Sequence, residues 1–276
     1  MVCLLPGGCG RQLPCEANFL SFEGAGDSAS SSDEKVTMSM SKNIVEMRHV
    51  RFQWPGARSF CLAVENFTLK RGERLLLLGP SGSGKSTLLS LLAGIMPPQS
   101  GEIRILGTDI APLGSAARDR FRAEHCGIIF QMFNLLPYGG VIDNVLLPLS
   151  FAPKRRERAM AAGGEQAEAR HMLRTLGLDE EHLNAPASSL SVGQQQRVAA
   201  ARAFIGAPEL IIADEPTSAL DRDRREKFLD LMLAQLAQKG SSLIMVSHDE
   251  SFADHFDRVA WLADLITTPD CAAARS

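Results

Sequence analysis

The sequence lacks features that would assign it to several other classes of protein. It has no uninterrupted apolar run near the roughly 20 residues needed to cross a bilayer, so any membrane role must come through a partner. Its formal net charge of −3 gives no reason to expect nucleic acid as the main partner, because such proteins usually carry a basic surface. Its six cysteines include no C-x-x-C pair and have no nearby histidine at zinc spacing. In a chain without a secretory signal, we interpret them as reduced thiols in the cytosol.

The first 43 residues differ in composition from the rest. They hold three of the cysteines and the polar run SASSSD at 28–33, a composition that favours disorder. No basic region leads into an apolar stretch of the length found in signal peptides, so we expect no signal peptide. Two interpretations stay open: a flexible N-terminal tail, or a mis-assigned start with Met38 or Met40 as the true first residue.

The stretch 79–87 follows an apolar run at 75–78 and fits the pattern G-x-x-x-x-G-K-[ST], whose glycines let backbone N–H groups surround phosphate oxygens. The apolar run predicts a buried strand, and 86–94 predicts a helix whose positive N-terminal end faces the anion. Lys85 would then reach the β- and γ-phosphates, and the Ser86 hydroxyl would bind Mg²⁺. The alternative is a chance Gly/Ser turn, which the strand-loop-helix context makes less convincing. The predicted nucleotide-binding residues of the loop are Gly79, Pro80, Ser81, Gly82, Ser83, Gly84, Lys85, Ser86 and Thr87.

Two half-buried strands are predicted ahead of this loop, because apolar and polar residues alternate over 44–52 and 61–69. Pro55-Gly56 marks the turn between them, and Trp54 stands beside that turn. A tryptophan in such a place is most often part of the core, but it could also stack on a nucleotide base.

After the loop, the pattern predicts a strand at 102–106, a helix at 115–125 and a short apolar strand at 127–130. Gln131 directly follows that last strand, at the end where ligands meet open α/β sheets. Taken alone, Gln131 would be an ordinary surface glutamine. Charged, alanine-rich sequence at 155–177 has helical spacing and predicts a helical insert.

The stretch 190–197 (LSVGQQQR) leads into a predicted helix at 198–205. Its serine, glycine and glutamine residues could supply donors for a second anion contact. From spacing alone, they could equally be an ordinary helix cap.

An apolar run at 210–213 predicts a buried strand that ends in Asp214 and Glu215. This is the Walker B arrangement, in which Asp214 would bind Mg²⁺. Glu215 could polarise the attacking water as general base. A further buried strand is predicted at 243–246, and His248 follows it. A lone histidine is usually a surface or core residue, but its position at the end of this strand favours a function.

In this order, the motifs resemble those of the ATP-binding subunit of an ABC transporter. The resemblance covers residues 44 to about 263 and leaves a C-terminal tail at 264–276. It implies an α/β fold: a phosphate-loop NTPase core with a RecA-like, mostly parallel sheet, an antiparallel β subdomain and a helical insert subdomain at about 135–190. The matching motifs are Walker A at 79–87, the Q-loop at Gln131, the signature at 190–194, Walker B at 210–215, the D-loop at 218–221 and the H-loop at His248.

The resemblance implies an ATPase that uses ATP and Mg²⁺ and works as a homodimer closed head to tail. Each ATP would lie between the phosphate loop of one chain and the signature of the other. Trp54 would stack on adenine, with Phe52 as the alternative. The signature residues in contact with nucleotide would be Ser191, Gly193 and Gln194. The metal site would comprise Ser86, Gln131 and Asp214, and the catalytic residues would be Glu215, His248, Lys85 and Gln131.

Several stretches, at 79–84, 129–131, 134–137, 143–145 and 213–217, resemble the MacB/LolD/FtsE group, whose ATPases work with permeases of the FtsX type. The resemblance implies a separate integral-membrane permease as partner and a peripheral location at the cytoplasmic face of the inner (plasma) membrane. The work driven would be export, or extraction of a lipid-like or lipoprotein substrate. The alternative is an ATP-gated regulatory subunit of an envelope complex without transport. A soluble ABC ATPase of nucleic-acid or cluster assembly is disfavoured, because the sequence has neither a long coiled coil nor zinc cysteines.

Val192 departs from the family signature Leu-Ser-Gly-Gly-Gln, because it stands at the first glycine. A β-branched residue tolerates fewer backbone conformations and brings bulk near the partner's γ-phosphate. The backbone N–H of residue 192 is retained, so we expect the site to hydrolyse ATP. Whether Val192 slows turnover stays open.

Overall fold

The computed structural model describes residues 42–54 and 61–267. The predictions for the N-terminal segment, including the start at Met38 or Met40, and for the turn at Pro55-Gly56 lie outside the described residues. Within the described ranges, no helix combines the length and the apolar character that a membrane crossing requires.

The described residues form a mixed α/β chain of two sheets and their connecting helices. The strands are β1 (Asn43–Gln53), β2 (Cys61–Lys70), β3 (Arg74–Leu78), β4 (Ser100–Ile105), β5 (Thr108–Asp109), β6 (Cys126–Ile129), β7 (Leu210–Asp214), β8 (Ser242–Ser247) and β9 (Arg258–Trp261). The α-helices are α1 (Lys85–Leu92), α2 (Ser115–His125), α3 (Val141–Leu146), α4 (Pro153–Ala161), α5 (Glu165–Thr175), α6 (Val192–Phe204), α7 (Arg222–Lys239) and α8 (Leu262–Leu265).

A parallel sheet has the strand order β6-β7-β8-β3-β9, and each neighbouring pair is parallel. Successive side chains of β3 point to opposite faces and enter different apolar clusters. Leu76 and Leu78 pack with residues of α6 and α7, whereas Leu75 and Leu77 pack with α1 and the strands of the second sheet. Because both faces are covered, the strand is a continuous apolar run, as is usual in parallel sheets.

The register of this sheet aligns the carboxyl ends of its central strands. Leu78, the last residue of β3, pairs with Ser247 of β8. Asp214, the last residue of β7, pairs with Val246 of the same strand. The loops that follow these strands therefore emerge at one edge of the sheet, where open α/β sheets bind ligands.

A separate antiparallel sheet has the order β2-β1-β4-β5. It confirms the two half-buried strands and the antiparallel β subdomain expected from the sequence. The alternation of β1 is interrupted near His49, where a bulge lies between Arg48 and Arg51. His49 adopts φ +50°, and a β-carbon on Gly101 would lie only 2.4 Å from the His49 carbonyl oxygen. Glycine at 101 is thus what allows β1 and β4 to approach at the bulge.

Helices α3 to α5 form the predicted insert and pack against α6 in one apolar cluster. The helical spacing at 155–177 corresponds to α4 and α5, which Gly163 and Gly164 separate. Both glycines have left-handed φ values, +111° and +109°, which a residue with a side chain would adopt only with strain.

Helix α6 begins at Val192, six residues before the predicted start at Val198. Ser191 caps it: the Ser191 Oγ accepts from the Gln194 N–H at 3.4 Å, and the Gln194 Oε1 accepts from the Ser191 N–H at 2.8 Å. This reciprocal pair is a capping box. The sequence prediction was wrong here because the first turns are polar and contain a glycine, so they show no apolar periodicity.

Arg155 of α4 joins the insert to the ends of two other helices. The residue is only 2% exposed. Its guanidinium donates hydrogen bonds to the backbone carbonyl oxygens of Ile205 (2.9 and 2.6 Å), Ala203 (3.0 Å), Arg202 (3.5 Å), Ala123 (3.2 Å) and Cys126 (3.2 Å). These carbonyls belong to the C-terminal ends of α6 and α2, where a cation is favoured by the helix dipole. Burial lowers the pKa of Arg155 to about 10, and the nearby charge of Arg158 acts in the same direction.

We expect Arg155→Met to lower the free energy of unfolding by about 3 kcal/mol, because the change leaves buried carbonyls without a donor. Arg156→Met is the matched control, since Arg156 is an exposed neighbour on the same helix that pairs with Glu165. Its loss should cost less than about 1 kcal/mol. Urea unfolding of both variants tests this, and equal destabilisation would contradict the structural role of Arg155.

Candidate functional site

A cleft of about 370 Å³ opens at the carboxyl edge of the parallel sheet. It brings together residues from the end of β1, the loop before α1, the loop after β6 and the end of β7. Its lining residues are Trp54, Ser81, Gly82, Gly84, Lys85, Ser86, Thr87, Gln131, Asp214 and Glu215.

The loop 79–87 turns from β3 into α1, as its glycines predict. Gly82 and Gly84 have φ values of +79° and +102°, and Gly84 is the N-terminal cap of α1. The helix therefore begins at Lys85, one residue before the predicted start, and ends at Leu92. The loop directs the N-terminal end of α1 toward the cleft, which suits an anion.

Lys85 is buried at the base of the cleft. Its ammonium group donates to the carbonyl oxygens of Gly79 at 2.8 Å and Pro80 at 3.1 Å. It also lies 3.5 Å from the Glu215 carboxylate. A lysine held by the loop in this way is a fixed positive charge at the bottom of the site.

Ser86 and Asp214 meet across the cleft, where the Ser86 hydroxyl donates to the Asp214 carboxylate at 2.9 Å. Burial raises the pKa of Asp214 above its ordinary value, and the charge of Glu215 adds to this effect. Hydroxyl and carboxylate oxygens are ligands that Mg²⁺ prefers. A cation beside Asp214 would also lower the cost of ionising this carboxylate. The pair therefore fits a divalent cation, and Gln131 lines the same cleft.

Glu215 has a backbone conformation that a non-glycine residue rarely adopts, with φ +48°. Its N–H donates to the Val246 carbonyl at 3.1 Å, and its own carbonyl accepts from the Ser218 N–H at 3.2 Å. The carboxylate is buried and lies 2.9 Å from the Nδ1 of His248, whose side chain is exposed. No sequence pattern predicts this conformation, which points the carboxylate into the cleft beside Lys85.

Trp54 and Phe52 occupy different environments. Trp54 is 40% exposed and lines the cleft, whereas Phe52 is 3% exposed and belongs to the apolar core. The two rings meet edge to face with their centroids 5.3 Å apart. The Trp54 indole N–H donates to the hydroxyl of Thr87 in α1 at 3.2 Å. This hydrogen bond holds the ring beside α1. Of the two aromatic candidates, Trp54 alone is placed to meet a ligand in the cleft.

The signature residues Ser191, Gly193 and Gln194 do not line this cleft in the described part of the chain. They form the N-terminal turn of α6, at the surface. Val192 occupies the first helical position and is 50% exposed. Helical φ and ψ values are open to valine, so the restricted backbone of a β-branched residue causes no strain at this position. The exposed bulk of its side chain remains.

Gln196 is a residue that the sequence did not single out. It is fully buried, and its amide donates to the Pro216 carbonyl oxygen. A glutamine in a polar run carries no signal of burial, so only the three-dimensional arrangement reveals this contact.

Comparison with known proteins agrees with the fold. The ABC transporter family model matches residues 62–218. The chain is 41% identical over 224 residues to YbbA of Escherichia coli K12, described as an uncharacterised ABC transporter ATP-binding protein; the match covers 79% of this chain and 93% of that one. It is 40% identical over 191 residues to the lipoprotein-releasing system ATP-binding protein LolD of Chromohalobacter salexigens, covering 69% of this chain and 78% of that one.

The solved structures include a similar cassette, MJ0796, in a dimeric post-hydrolysis state bound to ADP and Pi. It has a TM-score of 0.69 and 33% identity, and the match covers 81% of this chain and 98% of that one. The family model spans more than half of this chain, and the match spans nearly the whole of MJ0796. The chain belongs to the ABC transporter family, as an ATP-binding subunit that hydrolyses ATP.

Proposed function

We propose that two copies of this chain close head to tail around ATP and drive a separate integral-membrane permease of the FtsX or MacB type. The dimer is inferred from the separation of the phosphate loop and the signature within one chain. The phosphate loop, Asp214 and Glu215 line one cleft, while Ser191 and Gly193 lie outside it at the surface end of α6. A second chain would supply the signature that completes the site. The dimeric form of MJ0796 supports this arrangement.

In this proposal the cleft holds ATP along its length. Trp54 offers a ring face to the adenine, and the loop 79–87 surrounds the phosphates with N–H groups. Lys85 contacts the β- and γ-phosphates. The N-terminal turn of α6 in the partner subunit meets the γ-phosphate through the N–H and hydroxyl groups of its signature.

Mg²⁺ would be held by Ser86, Asp214 and Gln131, and when bound it would offset the negative charge of the phosphates. The fit rests on the oxygen pair of Ser86 and Asp214, 2.9 Å apart. Because Mg²⁺ usually keeps water and phosphate ligands, so small a set of protein groups is sufficient.

Glu215 is the proposed general base. Its carboxylate accepts a proton from the water that attacks the γ-phosphorus, as the bond from that phosphorus to the bridging oxygen of ADP breaks. Lys85 stabilises the negative charge on the phosphate oxygens from below. His248 orients the Glu215 carboxylate through its Nδ1 and contacts the γ-phosphate from the exposed side.

The permease would bind the region between Gln131 and α4, and the chain would then lie at the cytoplasmic face of the inner membrane. Three large apolar side chains in this region are exposed: Met132 by 81%, Tyr138 by 86% and Phe151 by 64%. Exposed apolar groups of this size suit a protein partner. The lipoprotein-releasing role named for LolD supports extraction of lipoproteins or lipids, or export, as the work driven.

Nucleotide should quench the fluorescence of Trp54. The chain has two tryptophans, so Trp261→Phe leaves Trp54 as the reporter, and Trp54→Phe leaves Trp261, on β9, as the control. We expect ATP titration to quench the fluorescence of the Trp261→Phe variant and to leave that of the Trp54→Phe variant unchanged, because only Trp54 of the two tryptophans lines the cleft. Quenching that persists in Trp54→Phe would show that the adenine of the nucleotide does not stack on Trp54.

Glu215→Gln should keep ATP affinity within about twofold and lower turnover by about 100-fold or more, because the amide cannot accept the proton. The variant should also trap an ATP-dependent dimer, visible by size-exclusion chromatography with light scattering. Glu226→Gln, which changes an exposed carboxylate of α7, is the control and should behave as wild type. Retained turnover in Glu215→Gln would assign the base to another group.

A pull-down from native membranes with the tagged Glu215→Gln chain and ATP tests the partner. We expect to recover an FtsX-like permease, and Tyr138→Ser added to this chain should reduce its recovery, because it removes an exposed contact. Met160→Ser, at an exposed apolar site on α4, is the matched control. Turnover stimulated by substrate in the reconstituted pair would support transport. ATP-dependent binding without substrate movement would support the regulatory alternative, and a soluble partner or none would contradict the permease.

A further inference from the structure

Gln196 is a buried amide in the second turn of α6 that reaches the segment after the proposed base. It is 0% exposed, and its Nε2 donates to the carbonyl oxygen of Pro216, the residue that follows Glu215. The carbonyl can only accept, so the orientation of the amide is determined by this bond. Helix α6 is therefore tied directly to the chain beside Glu215.

This bond adds to the contacts that hold Glu215 in its strained conformation. A non-glycine residue at φ +48° persists only where its surroundings determine the backbone on several sides. The N–H of Glu215 is held by the Val246 carbonyl, and its carbonyl is held by the Ser218 N–H. Gln196 holds the next peptide group, and it does so from a different element, α6.

The second polar atom of the amide has no corresponding role. The Gln196 Oε1 is buried without a hydrogen-bond partner among the described residues. An unpaired buried acceptor costs stability, which offsets part of what the single bond to Pro216 contributes. The amide is thus poorly explained as a contribution to folding, and its one bond acts on the Pro216 carbonyl.

The neighbouring end of α6 also touches this segment. A β-carbon on Gly193 would lie 3.3 Å from the Leu220 Cδ2, and Leu220 follows the Walker B turn by a few residues. The signature end of the helix and the turn that carries Glu215 are therefore packed together within one chain.

We propose that Gln196 is a positioning residue for the Glu215 carboxylate, and that through it the signature helix of each chain sets the geometry of that chain's own hydrolytic site. The proposal rests on the proposed function, in which the signature meets the partner's nucleotide and Glu215 acts on the nucleotide of its own chain. Binding of the signature to one ATP would then change the position of the Glu215 carboxylate at the other ATP. The two sites of the dimer would be linked through this side chain.

The test compares Gln196→Met with Gln235→Met in the full-length protein. Methionine keeps an unbranched side chain of similar length and adapts to irregular packing, but it cannot donate to Pro216. Gln235 of α7 is the matched control, because it is also a buried glutamine, 2% exposed, that donates one hydrogen bond, from its Nε2 to the Gln238 Oε1 at 3.2 Å. Its Oε1, like that of Gln196, has no hydrogen-bond partner among the described residues. The measurements are kcat and KM for ATP, the melting temperature, and ATP-dependent dimerisation in the Glu215→Gln background.

We expect Gln196→Met to lower kcat by about tenfold or more, since small misplacement of a catalytic group has effects of this size. KM should stay within about twofold, and dimerisation should persist. The melting temperature should fall by about 2–10 °C, because the buried Pro216 carbonyl loses its donor, so kcat is measured well below it. Gln235→Met should keep the kcat of the wild type. A purely structural role would instead raise KM and weaken dimerisation together with any loss of kcat, and that result would overturn the proposal.

Two further outcomes separate this proposal from the proposed function. Wild-type kcat in Gln196→Met, with Glu215→Gln inactive, would overturn the positioning role and leave the function of Glu215 intact. Undiminished turnover in Glu215→Gln would show that Glu215 is not the general base, and Gln196 would then have no base to position.

Discussion

The parallel hydrogen bonding of β3, β7 and β8 is the constraint on which the site depends. The register that pairs Leu78 with Ser247 and Asp214 with Val246 brings three loops to one edge of the sheet. A slip of one residue would turn each strand over, sending its side chains into the other apolar cluster. The contacts among Lys85, Glu215 and His248 follow from this register, because each residue comes shortly after one of these strands.

Helix α6 is the second element that organises the molecule. Its first turn lies at the surface, its middle carries Gln196, and its last carbonyls accept from Arg155. Near the same end, Arg202 donates to the carbonyl of Asn134 at 2.7 Å and to that of Phe133, which follow Gln131 in the chain. One helix thus contacts the turn after Walker B, the segment after the Q-loop and the helical insert.

The sequence was sufficient for features that depend on local pattern. Apolar runs predicted β3, β7 and β8, and the glycines of 79–87 predicted the loop before α1. The start of α6 was missed because side-chain capping, rather than apolar periodicity, begins that helix. The positive φ of Glu215 and the burial of Gln196 depend on residues distant in the chain, so no local pattern could reveal them. The order of motifs predicted the family because it is specific as a set.

The hydrogen bond between Trp54 and Thr87 has a consequence for nucleotide choice. The indole has a single N–H, and the Thr87 hydroxyl already accepts it at 3.2 Å. Trp54 therefore offers a base its ring face alone, and every purine or pyrimidine has a face that can stack. The polar groups that line the cleft lie instead in the phosphate loop and at the ends of β6 and β7. In the proposed nucleotide site, recognition would therefore act mainly on the phosphates, and Trp54 would give the cleft little means to distinguish adenine from guanine.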